Sequence, residues 1–109
     1  MGMTNEEQEA VVEILDVLYD NHASNIGFRP TEQTIHELEN LLLEMQECDK
    51  QLRTLIKALP CSTLARGSLR RCLISLARTL RQNRSTVSVF CYNARRWQYR
   101  TRIFDSGAH

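Results

Sequence analysis

Apolar residues recur at helical spacing in three stretches of the chain. In the first, Val11, Ile14, Leu15 and Leu18 share one face, and Val12 and Tyr19 widen it. Thr4 and Glu7 precede them with capping-box spacing, in which each side chain satisfies the other residue's backbone N–H. The pattern predicts a helix over 5–21. The run from Asn21 to Gly27 predicts a loop by composition, and Phe28 is placed to anchor it to the core.

The second stretch opens at Pro30-Thr31, with Thr31 as N-cap, and contains no Gly or Pro before Pro60. Ile35, Leu42, Asp49 and Ile56 occupy one heptad position, and Leu38, Met45, Leu52 and Leu59 another. Leu41, Cys48 and Leu55 widen this seam, as expected for a helix lying between two neighbours in a bundle. The spacing predicts a helix over 31–59, about 43 Å long if straight at about 1.5 Å per residue. Asp49 falls inside the apolar seam and marks 48–50 as the place for a break or bend. A third helix is expected over 62–83, capped by Ser62 or Thr63. Ala65, Leu69, Leu73, Leu76 and Leu80 form its inner face, Cys72 lies at the edge, and Gly67 sits near its first turn.

After Asn83 the period changes from helical to alternating. Val87, Val89 and Cys91 alternate with Ser88, Phe90 and Tyr92. Trp97, Tyr99, Thr101 and Ile103 then alternate with Gln98, Arg100 and Arg102. This predicts a β-hairpin over 86–104, turning at residues 93–96, and a loose tail over 105–109. The expected fold is mostly α: one domain spanning 1–109, a three-helix bundle or long helical hairpin with a short C-terminal β-hairpin. With 42% apolar and 25% charged residues over 109 positions, the composition is that of an ordinary globular domain and excludes collagen-like and disordered classes.

Charge changes this picture. Residues 1–50 hold twelve acids and two bases, a net charge of −10; residues 51–109 hold twelve bases and one acid, a net charge of +11. Such asymmetry points to contact with a polyanion or with a charged partner. Twelve of the fourteen bases are arginine, whose planar fork grips phosphate and carboxylate in pairs and stacks on flat rings. In the third helix Arg66, Arg70, Arg71, Arg78, Arg81 and Arg84 project onto an arc separate from the apolar one. The hairpin adds Arg95, Arg96, Arg100 and Arg102, with Trp97 and Tyr99 as candidate stacking rings.

Two functions fit. The first is a small regulatory protein that binds nucleic acid through these arginines, with Trp97 or Tyr99 stacking on bases. The second is a helical protein–protein interaction module, an adaptor or inhibitor of a larger machine. It would act through the 31–59 helix and an Arg/Trp/Tyr interface, with a protein partner or a second copy of itself. A competing account of the arginines is internal. In an antiparallel hairpin of the second and third helices, Glu32, Glu37, Glu39, Glu44 and Glu47 would lie beside the Arg-rich end of the third.

Candidate chemistry adds little. Cys48, Cys61, Cys72 and Cys91 form no C-x-x-C pair, so free, buried structural thiols are expected in place of a metal site or a disulfide. The acidic start is the reverse of a signal peptide's basic one, and no apolar run is long enough to span a membrane. A cytoplasmic, reducing location is therefore expected. There is no phosphate-cradling glycine loop, no zinc-protease motif and no nucleophile elbow. The chain is expected to be no enzyme, to need no cofactor and to take no small-molecule substrate.

Overall fold

Thr4 begins the first helix. In the computed structural model of the chain, which describes residues 2–59, 67, 69–87 and 102–105, the Glu7 N–H donates to Thr4 Oγ1 at 3.1 Å. In return the Thr4 N–H donates to Glu7 Oε1 at 2.9 Å. Helix α1 (Asn5–Leu18) buries Val11, Ile14, Leu15 and Leu18 completely. It ends three residues before the expected boundary, because Asp20 and Asn21 adopt left-handed backbone angles, φ 53° and 64°. Asp and Asn tolerate that region better than most side chains. A single helical turn, α2 (His22–Asn25), then occupies part of the expected loop. Asp16 holds it in place: its carboxylate accepts the Ser24 N–H at 2.9 Å and the Ser24 hydroxyl.

Thr31 starts α3 (Glu32–Cys48) with a reciprocal pair to Thr34, whose N–H donates to Thr31 Oγ1 at 3.3 Å. The expected 31–59 helix is two helices. The backbone turns out of helical geometry at Asp49 (φ −112°, ψ 105°), and α4 (Lys50–Lys57) follows. Asp49 Oδ1 accepts the Gln51 and Leu52 N–H groups at 2.9 and 3.1 Å, which caps α4. Arg53 donates to the Gln46 and Glu47 carbonyls at 2.8 and 3.1 Å, which caps α3. The carboxylate in the seam therefore ends one helix and starts the next. The molecule's longest extent is 34 Å, shorter than the unbroken rod.

The third predicted helix appears as α5 (Leu69–Gln82), burying Leu69, Cys72, Leu73, Leu76, Ala77 and Leu80. Gly67 stands outside it at φ 82°, a left-handed angle suited to glycine, so α5 begins after this residue and not at 62. The expected caps Ser62 and Thr63, together with Ala65, lie outside the described residues.

Both ends of the expected β-hairpin are helical. Residues 84–87 and 102–105 form single helical turns, and there is no strand among the described residues; positions 88–101 lie outside them. Ile103 and Phe104 are both buried, which successive residues of a half-buried strand cannot be. Phe104 stands edge-on to Tyr19, His22 and Phe28, at centroid distances of 5.5, 4.8 and 4.9 Å. These rings draw 102–105 onto the α1–α2 corner. Asp105, expected in the tail, belongs to that turn, and 106–109 lie outside the described residues.

One apolar cluster joins α1, α3, α4, α5, Val87, Ile103 and Phe104. Each fully buried Leu or Ile contributes roughly 1.5–3 kcal/mol of transfer free energy. An exposed ion pair contributes at most about 1 kcal/mol. The cluster, and not the surface charges, holds the helices together. Cys72, 1% exposed, is disulfide-bonded, which corrects the expectation of free thiols for this residue. Sequence spacing carries no information on which cysteines the fold brings together. The side chains of Cys48, Cys61 and Cys91 are outside those described. Among the described residues no helix is long and apolar enough to cross a membrane.

Candidate interaction surface

Of the four arginines of α5, Arg70 and Arg81 reach acceptors on α1, and Arg71 and Arg78 do not. Arg70, at the start of α5, is the most committed. Its Nε and Nη2 donate to the Glu7 carboxylate at 3.2 and 3.3 Å, its Nη1 to Glu32 Oε1 at 2.5 Å, and its Nη2 also to the Gly2 carbonyl at 3.3 Å. One guanidinium thus ties together the starts of α1, α3 and α5. Hydrogen bonding from Arg70, then from the Thr4 N–H, holds the Glu7 carboxyl below its ordinary range, and the Glu7 contact raises Arg70 in turn.

Further along, Arg81 Nη1 meets Glu13 Oε2 at 3.1 Å, Arg84 donates to Asn21 Oδ1, and Arg102 lies 4.0 Å from Glu37. The order of these contacts shows that α1 and α5 run parallel, since Arg70 meets Glu7 while Arg81 and Arg84 meet Glu13 and Asn21. The expected antiparallel arrangement, with the acids of the second helix beside the Arg-rich end of the third, does not form. That end lies against α1, because the apolar faces of α1 and α5 pack most extensively on each other. Glu32 and Glu39 of α3 reach the opposite end of α5, where Glu39 accepts the Gly67 N–H at 2.7 Å and the Leu69 N–H at 2.9 Å.

Of the residues singled out from sequence, Arg71 and Arg78 remain exposed and make no ion pair among the described residues. Arg66, Arg95, Arg96, Trp97, Tyr99 and Arg100 lie outside those residues. Beside Arg78 runs an open groove of about 170 Å³ between α1 and α5. Glu6 and Glu9 stand on its α1 side, Ile74 and Arg78 on its α5 side, and Ala10 and Ala77 line it between them. Ile74 is 42% exposed, one of two large exposed hydrophobic residues described. A second groove, about 340 Å³ and more apolar, separates α4 from Asn83 and Thr86. Among the described residues no cluster of His, Cys, Asp and Glu is placed to hold a metal ion.

Sequence reasoning missed the role of Glu39, placing it only among the acids expected beside the Arg-rich end of the third helix. Its position held a signal: with Ile35 four residues before and Leu42 three after, it sits on the core-facing flank of α3. It also passed over Ile74, which lies three residues from Arg71 and four from Arg78 on the outer face of α5. The chain matches no protein-family model, no curated protein and no solved structure.

Proposed function

We propose that the chain is a small non-catalytic helical module that binds another protein. The observation that carries this reading is the occupation of four arginines, two on α5 and two in the helical turns 84–87 and 102–105. Arg70, Arg81 and Arg102 face carboxylates of the same chain and Arg84 an amide oxygen, so these guanidinium groups already have acceptors and are poorly placed to collect phosphates. Among the described residues, what stays open beside them carries both signs of charge around an exposed isoleucine. A phosphate backbone selects an uninterrupted cationic surface. A protein surface accepts interleaved charge with an apolar centre.

Two measurements test this. Fluorescence anisotropy with labelled single- and double-stranded oligonucleotides at low salt should show no binding that weakens steeply as salt rises. Tight, salt-sensitive binding overturns the reading in favour of a nucleic-acid binder. Cross-linking in native cells, followed by reconstitution with the purified captured protein, should give a complex of fixed stoichiometry. Ile74→Asp should abolish that complex without altering the circular dichroism spectrum; an unaffected complex removes the surface from consideration.

A further inference from the structure

Resting on the interaction reading, we infer that the occupant of the α1–α5 groove is a second copy of this chain, joined about a two-fold axis parallel to the two helices.

The argument is one of charge placement. Glu6 and Glu9 line the α1 side of the groove, three residues apart on one helix face. Arg71, Ile74 and Arg78 share the outer face of α5, at spacings of three and four residues. Glu6, Glu9, Arg71 and Arg78 are all exposed, and none has an ion pair among the described residues. Glu13 and Arg81, which also line the groove, pair with each other across it at 3.1 Å, whereas Glu6, Glu9 and Arg78 stay available to another molecule. Between them Ala10 and Ala77 present short side chains, leaving room for a side chain from outside.

A surface that is acidic on one edge and basic on the other complements itself under one operation. Turning a copy about an axis along the groove exchanges left for right and preserves position along the helices. Because α1 and α5 are parallel, the partner's Glu6 and Glu9 then face Arg71 and Arg78 of the first copy, and the reverse holds at the other edge. Ile74 of each copy faces the groove of the other, near the partner's Ala10. An axis across the groove would set acid against acid and base against base. The interface is isologous, so each charge contact occurs twice.

The dimensions set its strength. Two parallel helices of fourteen residues, about 21 Å long and about 10 Å apart, offer roughly 400 Å² a side. That is below the area of standard stable complexes, so the dimer is weak and depends on concentration.

Sedimentation equilibrium up to about 1 mM chain covers this range. The wild type should dimerise, less so as salt rises. Arg78→Glu and Glu9→Arg should each weaken dimerisation roughly tenfold or more, because each sets like charges opposite one another twice per dimer. Mixed in equal amounts, the two variants should dimerise again, since each supplies the charge the other has lost. Both positions are exposed, and circular dichroism confirms the fold; Arg78→Gln provides a milder variant with the same expected direction. A wild type that stays monomeric throughout overturns the inference. So does a dimer indifferent to Arg78→Glu, or a mixture that fails to recover. A monomer that binds a different protein through Ile74 removes the dimer and leaves the interaction reading intact. Salt-sensitive oligonucleotide binding removes the reading itself.

Discussion

Replacing Glu39 probes the contact that fixes where α5 begins. The residue lies on α3, is 6% exposed, and accepts two backbone N–H groups from a segment about thirty residues away in sequence, Gly67 at 2.7 Å and Leu69 at 2.9 Å. In Glu39→Ala both acceptors are lost. Gly67 is exposed, so its N–H turns to water at little cost. Leu69 is fully buried and its N–H is left without an acceptor, a loss of about 1–3 kcal/mol. The one missing methylene removes roughly another 0.8 kcal/mol of apolar burial. The negative charge beside a helix start is lost as well, worth about 0.3–1 kcal/mol. Relief of the buried carboxylate's desolvation opposes these terms. The net expectation is a destabilisation of about 2–4 kcal/mol, a large part of the roughly 5–15 kcal/mol that stabilises a typical domain. Glu39→Gln preserves the shape and one acceptor but turns an amide N–H toward a second donor. It should lose somewhat less, about 1–3 kcal/mol. Urea unfolding followed by circular dichroism reads both. At a slope of about 2 kcal/mol per molar, Glu39→Ala should move the midpoint down by about 1–2 M with the slope unchanged. If both variants unfold within about 0.5 kcal/mol of the wild type, the carboxylate does not cap α5 and the reasoning fails.

Three further outcomes follow from the same geometry. Asp49→Ala removes the N-cap of α4 and should cost about 0.5–2 kcal/mol in urea unfolding; an increase in stability would mean that α3 and α4 gain by fusing. Gly67→Ala should cost about 1–2 kcal/mol, all of it backbone strain at φ 82°, because a Cβ there meets nothing within 4 Å; a neutral result in thermal unfolding would show that the turn is not held in this conformation. For Glu7 the folded pKa is lowered from an ordinary 4.5, chiefly by Arg70, so its contribution to stability is present above that value and lost as pH falls through the lowered one. Unfolding measured at stepped pH below about 4.5 should therefore show a shallower acid-side decline in Arg70→Met than in the wild type, and equal declines would exclude the Arg70 contact as the cause.

Periodicity alone determined that this is a mostly helical chain. The apolar faces of α1, α3, α4 and α5, the caps at Thr4 and Thr31, and the weakness of the seam at Asp49 are all local features. Each depends on residues within a turn or two of one another, and local spacing is what a sequence displays. Tertiary structure decided the rest. Alternation at 86–104 read as a strand, yet its described ends are helical, because Phe104 gains more by standing among Tyr19, His22 and Phe28 than 102–104 gains by extending. Which acid meets which arginine was equally hidden. Counting charges showed an acidic half and a basic half, but the parallel packing of α1 on α5 chose Glu7 and Glu13 as partners for Arg70 and Arg81. It left Arg71 and Arg78 outside. Ion pairs near a surface are too weak to direct packing and take whatever positions the apolar faces allow, so the charge pattern of the molecule is a consequence of its core.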